Sequence, residues 1–318
     1  MLFVGLAGRE SDRPVIASRL VELGAVRSHI DSGPPPWDVS APAIVVLGGG
    51  PEPGADHWPG LHMVIAGGVA GDLRRGEELP GAGSPGKDPA PAAAPDAWLD
   101  LDGPGGGAAG RIDALWADRV VPFEANLRAG RRAPRRRQAV LAGPDPRWAG
   151  QAARLISRLR HSAGRQVIRV DHIGSTSVPG LPAKQLIDIQ VVVTDLAAAA
   201  AVAGSARRAG FVHVQGHWFG TDRHGADHRE EVVVDADPGR PVNVNIRPVT
   251  APIWRETLLF RDWLRSHDAE RDAYAAMKQD LAGRPGRDVN DYSLDKMPWI
   301  SAALSRAESW AAAHRRGR

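Results

Sequence analysis

The segment HIGSTSVPGLPAKQLIDIQVVV, residues 172–193, constrains this chain more than any other. It opens at the end of the run VIRVDHI (167–173), whose alternation has the period of a β-strand. Gly174 and Ser175 follow at once. A glycine at that point lets backbone approach a phosphate closely, and the serine adds a hydroxyl to the N–H groups of the turn. A proline-containing turn leads to a second strand, predicted over Leu186–Val193. On it Asp188 and Gln190 share one face while Ile187, Ile189 and Val191 share the other, so a polar pair faces a cleft with apolar residues behind it. The competing readings are an ordinary tight turn for Gly174 and Ser175, and a buried carboxylate satisfied by backbone donors for Asp188.

The surrounding pattern is that of an α+β unit. Trp148, Ala152, Leu155, Ile156 and Leu159 form one helix face. Asp195 is placed to cap an alanine-rich helix. Strands are predicted at Phe211–Gln215, Glu231–Asp235 and Val242–Arg247, the last two joined as a hairpin through ADPGRP. Helices are predicted over Pro252–His267, Asp268–Leu281 and Asp291–Ala313. Nearer the N-terminus, apolar runs at Met1–Leu6, Ala43–Leu47 and Leu61–Ala66 read as parallel strands of an α/β layer. Val15, Ile16, Leu20 and Leu23 recur at helical spacing up to Gly24. Residues 76–95 are too rich in Gly, Pro and Ala to bury apolar area, and read as a mobile insert. A helix is predicted over Arg111–Asn126.

A length of 318 residues suits two domains. The expected organisation is a truncated P-loop-like α/β domain over 1–127, a basic linker over 128–145 carrying RAGRRAPRRR, and an α+β domain with C-terminal helices over 146–314. The absence of cysteine excludes disulfides, thiolate chemistry and Cys-ligated zinc. No run approaches the roughly 18 uninterrupted apolar residues of a membrane span, which makes the cytoplasm the expected compartment. A formal charge of +3 is too small an excess to point to nucleic acid. His217, His224, Asp227 and His228 are close enough in sequence to suggest zinc, although Gly220 and Gly225 favour a loop.

The Gly-Ser turn followed by a strand carboxylate resembles the nucleotidyltransferase superfamily, and the match to its GrpB-like members is closer. GSTSVPGLPAK (174–184) with the Ile-Asp-Ile strand at 187–189 is similar to that family's hallmark, as are ADPGRPVNVNIRPV (236–249), WRETLLFRDWLR (254–265), Tyr274 with Lys278, and Tyr292 with Lys296. The resemblance implies Ser175 and Asp188 as catalytic residues, Asp188 as ligand to a weakly held Mg²⁺, and a nucleotide or other phosphorylated small molecule as partner. Gly174, Lys184, Gln190, Asn245, Arg247, Arg261 and Lys296 are the expected ligand-binding positions, each of the cations having a solvated or ion-paired side chain as its alternative. Two departures weaken an enzymatic reading. Gln190 stands where a working transferase would have a second carboxylate, and Asn245 where the family usually has histidine.

The N-terminus, MLFVGLAGRESDRPVIASRLVELGAV, resembles the start of bacterial dephospho-coenzyme A kinase, and DALWADRVVPFEANLRAG (113–130) resembles a segment near that kinase's end. The interval between the two is shorter than the kinase requires. Its phosphate loop should be glycine-rich and close on Gly-Lys-Ser, yet here Gly8 is followed by Arg9, Glu10, Ser11, Asp12, Arg13 and Pro14, two of them anionic. Three functions therefore compete: a binding module with an inactive kinase remnant, a metal-dependent nucleotidyltransferase, and a dephospho-coenzyme A kinase, which the lost loop disfavours. The purified chain is expected not to phosphorylate dephospho-coenzyme A with ATP; turnover above a no-enzyme control, abolished by deleting residues 1–30, would overturn this.

Overall fold

The computed structural model describes residues 2–6, 18–19, 22–23, 27–29, 43–47, 63–66, 97–100 and 107–316. In the N-terminal part β1 (Leu2–Leu6) lies between β2 (Arg27–His29) and β3 (Ala43–Leu47), both parallel to it. β4 (Met63–Ala66) and β5 (Ala97–Asp100) make a second parallel pair. The apolar runs therefore do form parallel strands. The turn from Gly8 to Pro14 and the 76–95 insert lie outside the described residues.

The helix expected over 111–126 is longer and interrupted. α1 (Gly107–Leu115) passes through a π turn at Trp116–Val120 into α2 (Val121–Ala129). Pro122 sits in the first turn of α2; it has no N–H to give the preceding turn, and a widened turn there leaves carbonyls that proline would otherwise crowd. Arg19 grips Asp113 of α1 through two bonds of 2.7 Å.

A mixed sheet of six strands dominates the rest: β6 (Val167–Ile173), β7 (Ile187–Val193), β8 (Phe211–His213), β9 (Trp218–Thr221), β10 (Asp227–Asp235) and β11 (Val242–Pro248). Its order is β6-β7-β11-β10-β8, with β9 added on β10. β7 and β11 are parallel and the other pairings antiparallel. α3 (Arg147–Ala163) and α4 (Leu196–Ser205) pack on one face, where Trp148, Ala152, Leu155, Leu159, Ala199 and Val202 meet Ile187, Ile189, Val191 and Val193. Asp195 caps α4 by accepting from the Ala198 amide at 2.8 Å.

α5 (Ile253–Ser266) crosses beside the opposite face. It joins α6 (Asp268–Ala282) and α8 (Met297–Arg316) in a second core around Leu181, Trp263, Leu264, Tyr274, Ala303 and Ala307. The helix expected over 291–313 is two: α7 (Val289–Asp295), opened by the Asp288–Asp291 capping box, and α8, whose second residue is Pro298. Among the described residues no helix is long and apolar enough to cross a membrane.

The segment 128–137 touches the sheet through the Ala133 amide and Arg135, while its other five arginines are exposed. Arg119 forms a bidentate pair with Asp237 at 2.6 and 2.8 Å, Asn126 donates to the Ala236 carbonyl at 3.0 Å, and Phe123 is fully buried. Arg135 pairs with buried Asp235 and donates to the Asn243 side chain at 2.8 Å. The β10–β11 hairpin thus offers two buried carboxylates, and the preceding segment supplies their cations. Arg135→Ala should cost about 3 kcal/mol in urea unfolding, because Asp235 would be left buried without its partner; a loss below about 0.5 kcal/mol, the size of an ordinary surface change, would show that the docking is incidental.

Candidate functional site

Gly174 ends β6 with φ +69°, a conformation that side chains with a Cβ adopt at a cost. A Cβ there would come 2.5 Å from Oδ2 of Asp188. The turn and the carboxylate are therefore in van der Waals contact, as the strand alternation implied. The short helical turn Ser175–Ser177 is held from below: the Ser177 hydroxyl donates to the Gly174 carbonyl at 2.6 Å and His172 Nε2 meets the Thr176 hydroxyl at 2.9 Å. Burial and the nearby Arg265 and Arg261 push His172 down to about 3, so its ring is neutral.

Around this turn three ammonium groups converge. Lys278, 1 % exposed, donates to Ser175 Oγ at 3.1 Å and to the Pro182 carbonyl, and lies 4.9 Å from the Tyr274 ring centre. Lys184 and Lys296 lie 5.4 and 4.8 Å from the ring centre of Tyr292. Desolvation first, then the repulsion of Lys296 and Lys184, lowers Lys278 to about 7. Desolvation lowers Lys296 to about 8, with Lys184 acting in the same direction and Asp188 against it. Burial raises the Asp188 carboxyl above its ordinary value while Lys184 and Lys296 oppose the rise. Burial also raises Tyr274, whose hydroxyl is hydrogen-bonded to Ser175. Only four lysines and two tyrosines occur in the chain; three of the lysines and both tyrosines gather here.

Ser175, Asp188, Tyr274 and Lys296 open onto a cavity of about 250 Å³. Of the residues expected at the site, Gly174, Ser175, Asp188, Lys296 and Arg261 line it, and Lys184 stands behind Asp188 in its field. Arg261 also holds the turn, donating to the His172 carbonyl at 2.9 Å. Arg247, expected to reach the same space, is 6 % exposed and engaged elsewhere, donating to Glu230 at 2.7 Å and to Gln190 Oε1 at 3.1 Å. Gln190 is fully buried and donates to the Trp254 carbonyl at 3.2 Å. Asn245 is paired with it in register on β11. Lys278, Tyr274 and Tyr292 were quoted in sequence only as family matches, and their scarcity in an arginine-rich chain was the available signal. Asn243 gave none: it donates to Asp188 Oδ1 at 3.3 Å and accepts from Arg135, so the docked arginine reaches the site through one amide.

Magnesium fits these donors poorly. It takes one or two carboxylates plus substrate oxygens, whereas here a single carboxylate stands among three ammonium groups, and the neighbouring amide of Gln190 is already bonded. No group of three or more His, Asp or Glu suited to a metal occurs among the described residues. The histidine-rich segment is the β9–β10 strand pair, in which Gly220 faces His228, and not a loop throughout; His228 is spent on Asp222 at 2.8 Å and His224, in the turn between the strands, accepts from Arg223 at 2.9 Å.

The family model described as GrpB protein matches residues 138–306, which contain the turn, β7 and all three converging lysines. The chain belongs to the GrpB family. A UPF0157 protein of Streptomyces coelicolor is 36% identical over 52% of this chain and 83% of its own length. The match to a dephospho-CoA kinase of Mycolicibacterium paratuberculosis is 37% identical and takes in 69% of this chain, reaching into its N-terminal region. The chain spans 58% of the length of that relative. The crystal structure of conserved protein GrpB from Enterococcus faecalis aligns with a TM-score of 0.44 at 23% identity, over 54% of this chain and 99% of that one.

The contact between Gly174 and Asp188 predicts a specific coupling. Gly174→Ala should lose about 2 kcal/mol or more of stability, from the positive φ and from displacement of the carboxylate. Part of that loss should vanish in the Asp188→Ala background, measured as a double-mutant cycle by urea unfolding; strict additivity would contradict the contact.

Proposed function

We propose that this GrpB-family chain is a binding module for a small phosphorylated ligand, nucleotides included, which it holds without efficient turnover, and that its N-terminal part is a kinase remnant without kinase activity. The convergence of Lys184, Lys278 and Lys296 on Ser175 and Asp188, with Lys296 itself lining the cavity, carries this reading. Three like charges held together in a partly desolvated space repel one another, and a dianion entering beside them relieves that repulsion. A nucleotidyltransferase reading draws on the contact of Asp188 with Gly174, but it needs a metal that this donor set suits poorly.

The depressed lysines give the proposal a pH signature. Lys278 and Lys296 titrate at about 7 and 8 in the folded chain against 10.5 ordinarily, so the unfolded chain binds more protons between those values. Their contribution to stability therefore rises with pH from about 7 to 10.5 in the free protein. A bound dianion favours the charged ammonium groups, so binding takes up protons and weakens as pH rises through 7 to 8. Sulfate, dianionic across this range, is the suitable probe. Calorimetry on the full chain should find sulfate at least about tenfold weaker at about pH 9 than at about pH 6, with Lys296→Gln weakening it at the lower pH and flattening the profile. A flat profile in the parent chain would contradict the proposal. Asp188→Asn should preserve magnesium-free binding at the lower pH; its loss, with nucleotide binding that requires Mg²⁺ in the parent chain, would instead favour the transferase reading.

A further inference from the structure

The cavity lining is of two kinds. Ser175, Asp188 and Lys296 are polar, and an apolar wall is formed by Ile253, Phe260 and Leu264 of α5 with Met297, Ile300 and Leu304 of α8. Phe260 is fixed edge-on to Tyr274, with ring centres 5.4 Å apart, so this wall is preshaped. Polar groups at the rim are bonded to one another: Glu256 accepts from the Arg223 amide at 3.1 Å, and Asp222 accepts from His228 at 2.8 Å and from the His224 amide at 2.8 Å. The wall is interrupted by Thr257, whose hydroxyl donates to the Ile253 carbonyl at 2.8 Å, and by Ser301; its six apolar side chains gain by covering hydrocarbon.

Size points the same way. Drug-sized ligands occupy pockets of about 300–1,000 Å³, and a dry apolar cavity of about 150 Å³ holds one benzene ring. A space of about 250 Å³ suits one phosphate-type group and one ring or short branched chain, and is too small to enclose a nucleoside triphosphate. Resting on the phospho-ligand reading above, we infer that the ligand is a monophosphate ester of a small apolar body, aryl or alkyl, with its dianion at Lys296 and Ser175 and its hydrocarbon against Phe260, Met297 and Ile300.

The test compares inorganic phosphate, phenyl phosphate and ATP by calorimetry on the full chain near pH 6.5, each affinity referred to the dianionic fraction of its phosphate group at that pH. Phenyl phosphate should bind at least about tenfold tighter than inorganic phosphate, since burial of its ring adds to the same anion contacts. Met297→Ser, at a position 42 % exposed and so tolerant of change, and Ile300→Ser should each remove most of that advantage while leaving inorganic phosphate binding unchanged. Equal affinity of the two anions, an advantage that survives both substitutions, or ATP binding more tightly than phenyl phosphate would overturn the inference while leaving the broader reading standing. Failure of all three compounds to bind would overturn both.

Discussion

Everything at the site follows from placing one carboxylate in a strand that is otherwise sealed. Along β7 every residue except Asp188 is buried, Ile187, Ile189, Val191 and Val193 against α3 and α4, and Gln190 beneath α5. A carboxylate in such a strand must be matched by fixed partners or be neutralised by taking up a proton. Asp188 has the Asn243 amide within 3.3 Å and the fields of Lys184 and Lys296, and it has room only because residue 174 lacks a side chain. Gly174 is thus doubly constrained, by its positive φ and by the carboxylate pressed against it. The lysines in turn are desolvated and, second to that, share their space with one another, which is why two of them are held so far below their ordinary range.

The arginine-rich segment enters the same network from the other side. Charged runs of this composition usually stay in solvent, and five of its six arginines do, but the β10–β11 hairpin carries Asp235 and Asp237 as buried acceptors, which Arg135 of the run and Arg119 of the preceding π turn complete. One further bond, from Arg135 to Asn243, connects that docking to Asp188. The segment that follows α2 is therefore structurally continuous with the GrpB sheet. An event that displaced it would alter both the stability of the hairpin and the electrostatics of the cavity.

Local chemistry made much of this legible in advance. The alternation of VIRVDHI and IDIQVVV appears as β6 and β7 with the expected faces, Asp195 caps its helix, and ADPGRP turns the hairpin. Misjudged features involved partners distant in sequence. Arg247 reads as a candidate ligand group because a strand arginine beside a cleft is usually free, yet Glu230, on the adjacent strand, captures it in a pair where both side chains are 8 % exposed. The C-terminal helix reads as continuous because its apolar positions keep helical spacing across Pro298, and proline in a first turn permits a new start.

The sequence by itself determined β6, β7 and β11, the Gly-Ser turn, the orientation of Asp188 and Gln190, and family membership, because each depends on the period of the backbone or on a contiguous motif; β2, β5 and β9 it did not mark. Only the tertiary structure decided that Lys184, Lys278 and Lys296, spread over more than a hundred residues, act on one point, and that α5 and α8 close an apolar wall beside them. Their meeting depends on how the helices cross the sheet edge, which is set by the packing of Trp263, Leu264, Tyr274 and Ala303 in the second core. No local pattern encodes that crossing, since packed side chains constrain one another only once distant segments are already in contact.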